Sequence, residues 1–370
     1  MRAAHDSGMT AAPSRARLVR WAVPVAAAAV VGVAATGVLT AEADPPLPPK
    51  TAAQLLVDLQ GAEVQGLSGT VVQNSDLGLP ALPTSGPGRD STSPLSLLTG
   101  SHTLRVWYAG EAKQRLALLG RLGETDVIHN GRDVWLWSSG SNSATHYTLP
   151  AGKAAAERPA VPSPLTPQEA AEQALAAIDP TTAVSTDGTR AVAGRDAYEL
   201  VLAPKDTRSL IGQVRLAVDA ETSVPLRVEL FGRSSADGPA FSVGFTKISF
   251  EVPGDEQFRF SPPPGAEVTE ATLPKPSGKR PSAAELDDAA GAVRTVGTGW
   301  TTVVVADGMA PTADPGGSGQ AILDQLRRVS GSWGSGRLLS SRLVTVLFTD
   351  DGRMIAGAVP PELLYAAAGR

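Results

Sequence analysis

The chain of 370 residues contains no cysteine. This absence excludes disulfide bonds, thiolate metal sites, a cysteine nucleophile and an N-terminal cysteine modified with lipid. A stable fold must therefore come from a hydrophobic core, which a chain of this length can bury. Apolar residues make up 42% of the sequence and supply that core, although aromatic residues contribute only 5%.

The sequence also lacks any strong positive charge. Its formal net charge is −5, and no block of five or six like charges occurs. Proteins that bind nucleic acid normally carry a basic patch that neutralises phosphates. The sequence therefore predicts no nucleic-acid partner.

Motifs that carry chemistry are missing as well. His102, His129 and His146 do not stand at metal-ligand spacing on a helix, and no His-Glu-x-x-His occurs. There is no Gly-x-Ser-x-Gly elbow and no glycine-rich loop ending in Gly-Lys-Ser/Thr. We therefore predict a protein that is not an enzyme, with no catalytic residues, no metal site and no cofactor.

The N-terminal segment has the pattern of an export signal. Arg15, Arg17 and Arg20 precede the uncharged stretch Trp21–Thr40, and Ala41-Glu42-Ala43 has the form of a cleavage site. The apolar stretch is also long enough to span a bilayer. Residues 1–43 are therefore predicted to be a signal peptide or a retained anchor in the cytoplasmic membrane. The rest is placed outside the cytoplasm, anchored at the outer face of that membrane or released into a secreted or periplasmic-like space.

Two helices are predicted after the Pro-rich spacer 44–50. Thr51 and Gln54 form a capping box, and the apolar residues that follow recur at helical spacing. Thr166 and Glu169 form a second capping box, with Pro167 at the first helical position. Each helix presents one apolar face and therefore needs an apolar partner to pack against.

Most of the remaining sequence is typical of strands. His102–Ala109 alternates between apolar and polar residues, and Asp126–Trp137 reads as a tight hairpin turning at Asn130-Gly131. Strands joined by short turns, with two helices between them, favour a large antiparallel sheet that carries helices on one face. The other predicted strands are Ser68–Asn74, Lys113–Leu119, Ala144–Leu149, Tyr198–Leu202, Gly212–Val218, Pro225–Phe231, Ala240–Phe250 and Gln257–Phe260.

Residues 261–290 are predicted to be a Pro-rich tether, and residues 291–370 a small α+β segment of their own. The elements predicted there are a strand at Trp300–Val305, a helix carrying Ile322, Leu323, Leu326 and Val329, a hairpin turning at Asp351-Gly352, and a closing helix that begins at Pro360-Pro361-Glu362.

Residues 50–270 resemble a known family. Its carriers share the order of motifs seen in Val224-Pro-Leu-Arg-Val-Glu-Leu-Phe-Gly232, Phe245-Thr-Lys-Ile-Ser-Phe250 and Phe258-Arg-Phe-Ser-Pro-Pro-Pro-Gly265. Tyr198–Pro204 and Asn130–Trp135 match further strands of that family. These motifs resemble the LolA-like lipoprotein carriers and their relative RseB/MucB, a periplasmic regulator of envelope stress.

The resemblance implies an α+β, mostly antiparallel fold in which residues 51–260 form a curved half-barrel sheet covered by helices. It implies an extracytoplasmic carrier whose partners are lipid or lipoprotein acyl chains held in an apolar cavity. The alternative that it leaves open is an RseB-like regulatory module that binds an anti-sigma factor or another membrane-embedded envelope protein.

The candidate lipid-binding residues come from the first predicted helix, the Pro-rich loop and the strands that follow this loop. The leucines of the Pro-rich loop Ser75–Gly100 are expected either to cover the core or to form a lid over a ligand. The tryptophans are expected either in the core or in the lining of a cavity, and Arg105 is the positional candidate for the family's ligand-contacting arginine. The full set is Leu55, Leu59, Leu77, Leu79, Leu97, Leu104, Arg105, Val106, Trp107, Leu116, Trp135 and Trp137.

Overall fold

The computed structural model describes residues 29–30, 47–79, 98–120, 123–149, 165–234, 238–271, 293–308 and 323–369. In this part of the chain the strands form two sheets, one of thirteen strands and one of six. The predicted export segment, residues 1–43, lies outside it except for Ala29–Val30. Within these ranges, no helix is both long enough and apolar enough to cross a membrane.

The first sheet confirms the predicted fold class, because its strands are almost all antiparallel. They run in the order β13-β7-β6-β5-β4-β3-β2-β12-β11-β10-β9-β8, with β1 parallel to β3 and β13 parallel to β7. The strands are β1 (Ala29–Val30), β2 (Leu67–Ser75), β3 (Leu98–Tyr108), β4 (Lys113–Leu119), β5 (Glu124–Asn130), β6 (Asp133–Ser138), β7 (Ser143–Thr148), β8 (Thr182–Val192), β9 (Arg195–Pro204), β10 (Ile211–Asp219), β11 (Pro225–Gly232), β12 (Phe241–Ser249) and β13 (Glu267–Ala271).

Both predicted helices begin at their capping boxes. In α1 (Ala52–Gln60), the Thr51 hydroxyl accepts a hydrogen bond from the Gln54 amide, and the Gln54 side chain accepts one from the Thr51 amide. Thr166 and Glu169 make the same pair of bonds in α2 (Pro167–Ala176). Helix α2 packs on β11 and β12, and α1 packs on β8.

The cap of α2 provides a direct test of local stability. Replacing Thr166 with alanine leaves the Glu169 amide without its side-chain acceptor. We expect the free energy of unfolding to fall by about 1 kcal/mol in a urea titration. Thr148→Ala, at an exposed position of β7, is the control and should change it by less than about 0.5 kcal/mol. Equal losses from the two variants would contradict a capping role.

The first sheet has two faces that differ in what covers them. Cross-strand partners share a face, so the pairs Val71–Leu104 and Val71–Phe245 define one face across β3, β2 and β12. We call it the inner face, because its residues pack in one core with residues of α1 and α2. The fully buried members of that core include Leu55, Val71, Leu104, Leu200, Leu202, Leu216, Leu226, Val228 and Val243.

The structure corrects several sequence predictions for this sheet. Gln257–Phe260 is not a strand, because Asp255–Phe258 forms a 3-10 turn that buries Phe258. Glu267–Ala271, predicted as tether, pairs with β7 as β13. The hairpin turn is Gly131-Arg132, one residue later than predicted, because Asn130 pairs with Asp133. Helix α2 ends at Ala176.

The second sheet runs in the order β14-β15-β19-β18-β17-β16. Its predicted hairpin and closing helix are confirmed. The helix predicted to carry Ile322, Leu323, Leu326 and Val329 is present at 323–325, but its predicted end is wrong because Val329 lies in a strand. Trp300 stands in a 3-10 turn before the strand predicted there. The elements are β14 (Val293–Val296), β15 (Val303–Ala306), β16 (Arg327–Gly331), β17 (Gly334–Ser340), β18 (Thr345–Thr349), β19 (Met354–Gly357) and α3 (Pro361–Ala368).

The two sheets touch through loops. Leu343 packs against the core of the first sheet. The backbone N–H of Arg342 donates to the carbonyl of Leu77 at 2.7 Å, and the N–H of Leu210 donates to the carbonyl of Ala358 at 2.8 Å. The second sheet also has a separate hydrophobic cluster. That residues 291–370 form an independent domain stays a prediction.

Candidate functional site

A row of aliphatic side chains crosses the inner face on strands β3–β6, at a distance from the strands that contact the helices. Val106 pairs with Leu116, Leu116 with Val127, and Val127 with Leu136. Because each pair is directly opposite in neighbouring strands, the four side chains form one line perpendicular to the strands. Val106 is buried, and the other three are partly exposed. We call these four residues the aliphatic row.

The aliphatic row is continuous with the closed core. Leu104 and Leu118, which pair on the inner face beside Val106 and Leu116, are buried, and Leu116 packs against the same cluster. The helices lie mainly over β8, β11 and β12. The row therefore leads from the covered part of the inner face to strands β5 and β6, where the aliphatic side chains are accessible.

Mostly polar residues border the aliphatic row on both sides, with the buried Leu118 and Val134 as the exceptions. On one side, Leu118 pairs with Thr125, Thr125 with Ser138, and Ser138 with Ser143. The other side contains the line Tyr108, Gln114, His129, Val134 and Tyr147. An apolar strip bordered by hydroxyl, amide and imidazole groups is the arrangement expected around a chain-like apolar ligand.

The predicted tryptophans lie on the opposite, outer face. Trp107 is in register with Ser68 and Arg115, and Trp135 with Ile128 and His146. Phe260 packs against this face, with ring centroids 5.3 Å from Trp135 and 5.8 Å from Trp137. Trp135 and Trp137 thus pack in a second apolar layer with the segment after β12, away from the aliphatic row.

A buried ion pair also lies on the outer face. Arg115 donates to Asp126 at 2.6 Å, and the Asp126 side chain is 1% exposed. Burial raises the pKa of Asp126 above its ordinary value, although the neighbouring Arg115 guanidinium opposes this. Asp126 Oδ1 and Arg115 Nε have no partner among the described residues. Among the residues that the structure describes, no group of three or more His, Asp or Glu side chains is arranged to hold a metal ion.

The structure thus divides the twelve candidate residues. Leu104, Val106 and Leu116 lie together on the inner face. The α1 leucines and the two described loop leucines pack in the adjoining core. Leu97 lies outside the described residues. By group, the inner-face and core candidates are Leu55, Leu59, Leu77, Leu79, Leu104, Val106 and Leu116, and the outer-face candidates are Arg105, Trp107, Trp135 and Trp137.

Sequence reasoning missed two members of the aliphatic row, Val127 and Leu136. Both lie in the predicted hairpin, but a turn at Asn130-Gly131 would pair Val127 with Val134. The observed turn at Gly131-Arg132 pairs Val127 with Leu136 instead. Alternation along the two strands does place both residues on the face opposite the tryptophans, and this is the signal that could have found them.

Comparison with known proteins extends the fold description. No protein-family model matches the chain, and neither does any curated protein. Among solved structures, the MucA/MucB complex of Pseudomonas aeruginosa matches at 15% identity and a TM-score of 0.41, covering 86% of this chain and 96% of the other. A LolA superfamily protein of Nitrosomonas europaea matches at 12% identity and 0.21, covering 57% and 99%.

The lipoprotein LppX of Mycobacterium tuberculosis matches at 8% identity and a TM-score of 0.26, covering 53% of this chain and 94% of the other. The first two of these structures are of MucB and of a LolA superfamily protein, the groups that the sequence motifs resemble.

Proposed function

We propose that this protein binds the acyl chains of a lipid or lipoprotein along the aliphatic row, outside the cytoplasm, and acts as a carrier without catalysis. The observation that supports this is a line of partly exposed aliphatic side chains, Leu116, Val127 and Leu136, continuous with a closed core. Water is a poor solvent for such a line, and an acyl chain would cover it. The arginine-flanked apolar segment before residue 44 supports a location beyond the cytoplasmic membrane.

The size of the row sets the ligand that it can hold. Three strand spacings separate Val106 from Leu136, which corresponds to about 14 Å. Each buried methylene contributes about 0.8 kcal/mol, so ten of them contribute about 8 kcal/mol. Association costs about 4–15 kcal/mol, so a chain of four methylenes would not bind measurably. We therefore propose medium or long acyl chains as ligands.

The proposal is tested by titrating the full chain with the methyl ester of a fluorescent C12–C16 fatty acid, which carries no charge at its head group, and comparing two identical substitutions. Val127→Asp places a carboxylate in the aliphatic row and is expected to weaken probe binding at least tenfold, because the charge must be desolvated or the chain displaced. Val57→Asp is the matched control. Val57 is 69% exposed on α1, away from the row, and its variant should bind like the parent protein.

Circular dichroism of both variants must show the parent fold. Leu136→Asp provides a second variant in the row if Val127→Asp fails to fold. An unaltered affinity in either folded row variant would refute this binding site. A parent protein that ignores acyl probes altogether would instead favour the regulatory alternative, binding to an envelope protein.

A further inference from the structure

The inner face of strands β2–β7 and β13 is nearly free of charge. Pairing through these strands is regular, so the face to which each side chain belongs follows from the register. On the described strands this face contains no lysine or arginine, and Glu267, at the far edge, is its one carboxylate. Its two imidazoles, His102 and His129, are both buried.

The outer face of the same strands carries the charges. Arg105, Arg115 and Asp126 lie on this outer face. Along each strand they alternate with neutral residues that lie on the inner face. In a chain with 19% charged residues, such segregation means that none of these seven described strands places a cation beside the aliphatic row. The other charged or titratable outer-face residues are Lys113, Glu124, Asp133, His146 and Glu270.

Hydroxyl groups mark the outer end of the aliphatic row. Leu136 pairs with Thr145, and Thr145 with Thr269 of the edge strand β13. Ser143 and Tyr147 flank Thr145 on the same face. The opposite end, at Val106, adjoins the buried Leu104. A chain lying on the row would therefore point its methyl end toward the core and its polar end toward these hydroxyls.

We propose that the ligand of this site is an uncharged lipid whose head group bears hydroxyl groups and lies at the β7–β13 edge. The inference rests on the proposed function and adds its chemical class. An anionic head group brought to this edge would lose hydration without gaining a cation, and it would approach Glu267. Serine, threonine and tyrosine hydroxyls both donate and accept, as hydroxyl groups of a ligand require.

A cationic head group fits less well than a neutral one. Glu267 is exposed, and an exposed ion pair contributes only about 0–1 kcal/mol. The expected order of affinity for one chain length is therefore neutral first, cationic second and anionic last.

The experiment compares three ligands with the same C12 chain on the full protein: monolauroylglycerol, dodecyltrimethylammonium and dodecyl phosphate. Each competes with a fluorescent acyl probe at about pH 8, where imidazoles are generally neutral. We expect monolauroylglycerol to bind at least tenfold more tightly than dodecyl phosphate. Equal affinities, or tighter binding of the phosphate, would overturn the inference.

Two neighbouring substitutions on β13 locate the head group. Thr269 belongs to the inner face and Val268 to the outer face, where it is 46% exposed. Thr269→Arg supplies the missing cation and is expected to raise the affinity for dodecyl phosphate at least fivefold. Val268→Arg adds the same charge on the other face and should leave it unchanged. Identical effects of the two variants would place the head group elsewhere.

The results separate this inference from the proposed function. If none of the three ligands displaces the probe, or the probe itself does not bind, acyl binding fails as a function. If all three bind with similar affinity, acyl binding stands and the selectivity for an uncharged head group is wrong.

Discussion

Replacing Asp219 with alanine is expected to lower the free energy of unfolding by about 3–5 kcal/mol. The Asp219 side chain is fully buried at the end of β10, and both of its oxygens accept hydrogen bonds from Arg195. Its Oδ1 also accepts from the Thr222 amide and hydroxyl, each at 2.8 Å. The variant removes the carboxylate that accepts hydrogen bonds from the half-buried Arg195 guanidinium. It also removes the acceptor for Thr222 in the turn between β10 and β11.

The loss should depend on pH. Burial alone would raise the pKa of Asp219, but the hydrogen bonds from Arg195 and Thr222 outweigh it and lower the pKa below its ordinary value. A carboxyl group whose folded pKa is depressed stabilises the fold above its unfolded pKa of about 3.9 and loses that contribution as pH falls through the folded pKa. The difference between parent and variant should therefore be full at neutral pH and shrink below about pH 4.

Asp196→Ala is the matched control for urea titrations at neutral and acid pH. Asp196 is exposed at the start of β9, next to Arg195. Its replacement should lower the free energy of unfolding by less than about 0.5 kcal/mol. A loss for Asp219→Ala that stays constant down to pH 3 would contradict an ionised, hydrogen-bonded carboxylate as its source.

The features that the sequence predicted well are local. The capping boxes at Thr51 and Thr166 fix helix starts because a hydroxyl three residues before an amide has few other partners. The strand predicted at Lys113–Leu119 coincides with β4, and the one predicted at His102–Ala109 matches β3 except for the first four residues of that strand and one residue beyond its end. Alternation itself indicates a sheet with two different faces. These signals need only a few consecutive residues.

The features that failed depend on distant parts of the chain. β8 is an edge strand with mostly exposed polar residues, so it lacks the apolar alternation that marks a strand. β13 exists because residues 267–271 reach the free edge of β7. The division of the candidate site follows from the alternation of side chains along a strand, since Val106 and Trp107 are consecutive residues and therefore lie on opposite faces.

That division bears on the two interpretations of the tryptophans, as core or as cavity lining. Trp135 and Trp137 contact Phe260, and the adjoining 3-10 turn Asp255–Phe258 contacts β4 and β5. The first sheet is therefore covered on its outer face by the segment that follows β12. If acyl chains bind to the inner face, perturbing the outer layer should change stability and not binding.

Phe258→Ala separates these two quantities. Phe258 is 1% exposed in the 3-10 turn, and its truncation is expected to lower the free energy of unfolding by about 3–5 kcal/mol in urea. Phe258→Leu, which keeps most of the volume, should cost less than about 1.5 kcal/mol. In the absence of denaturant both variants should bind the acyl probe with the parent affinity, because the aliphatic row lies on the other side of the sheet. A folded Phe258→Ala protein that has lost probe binding would move the site to the tryptophan face.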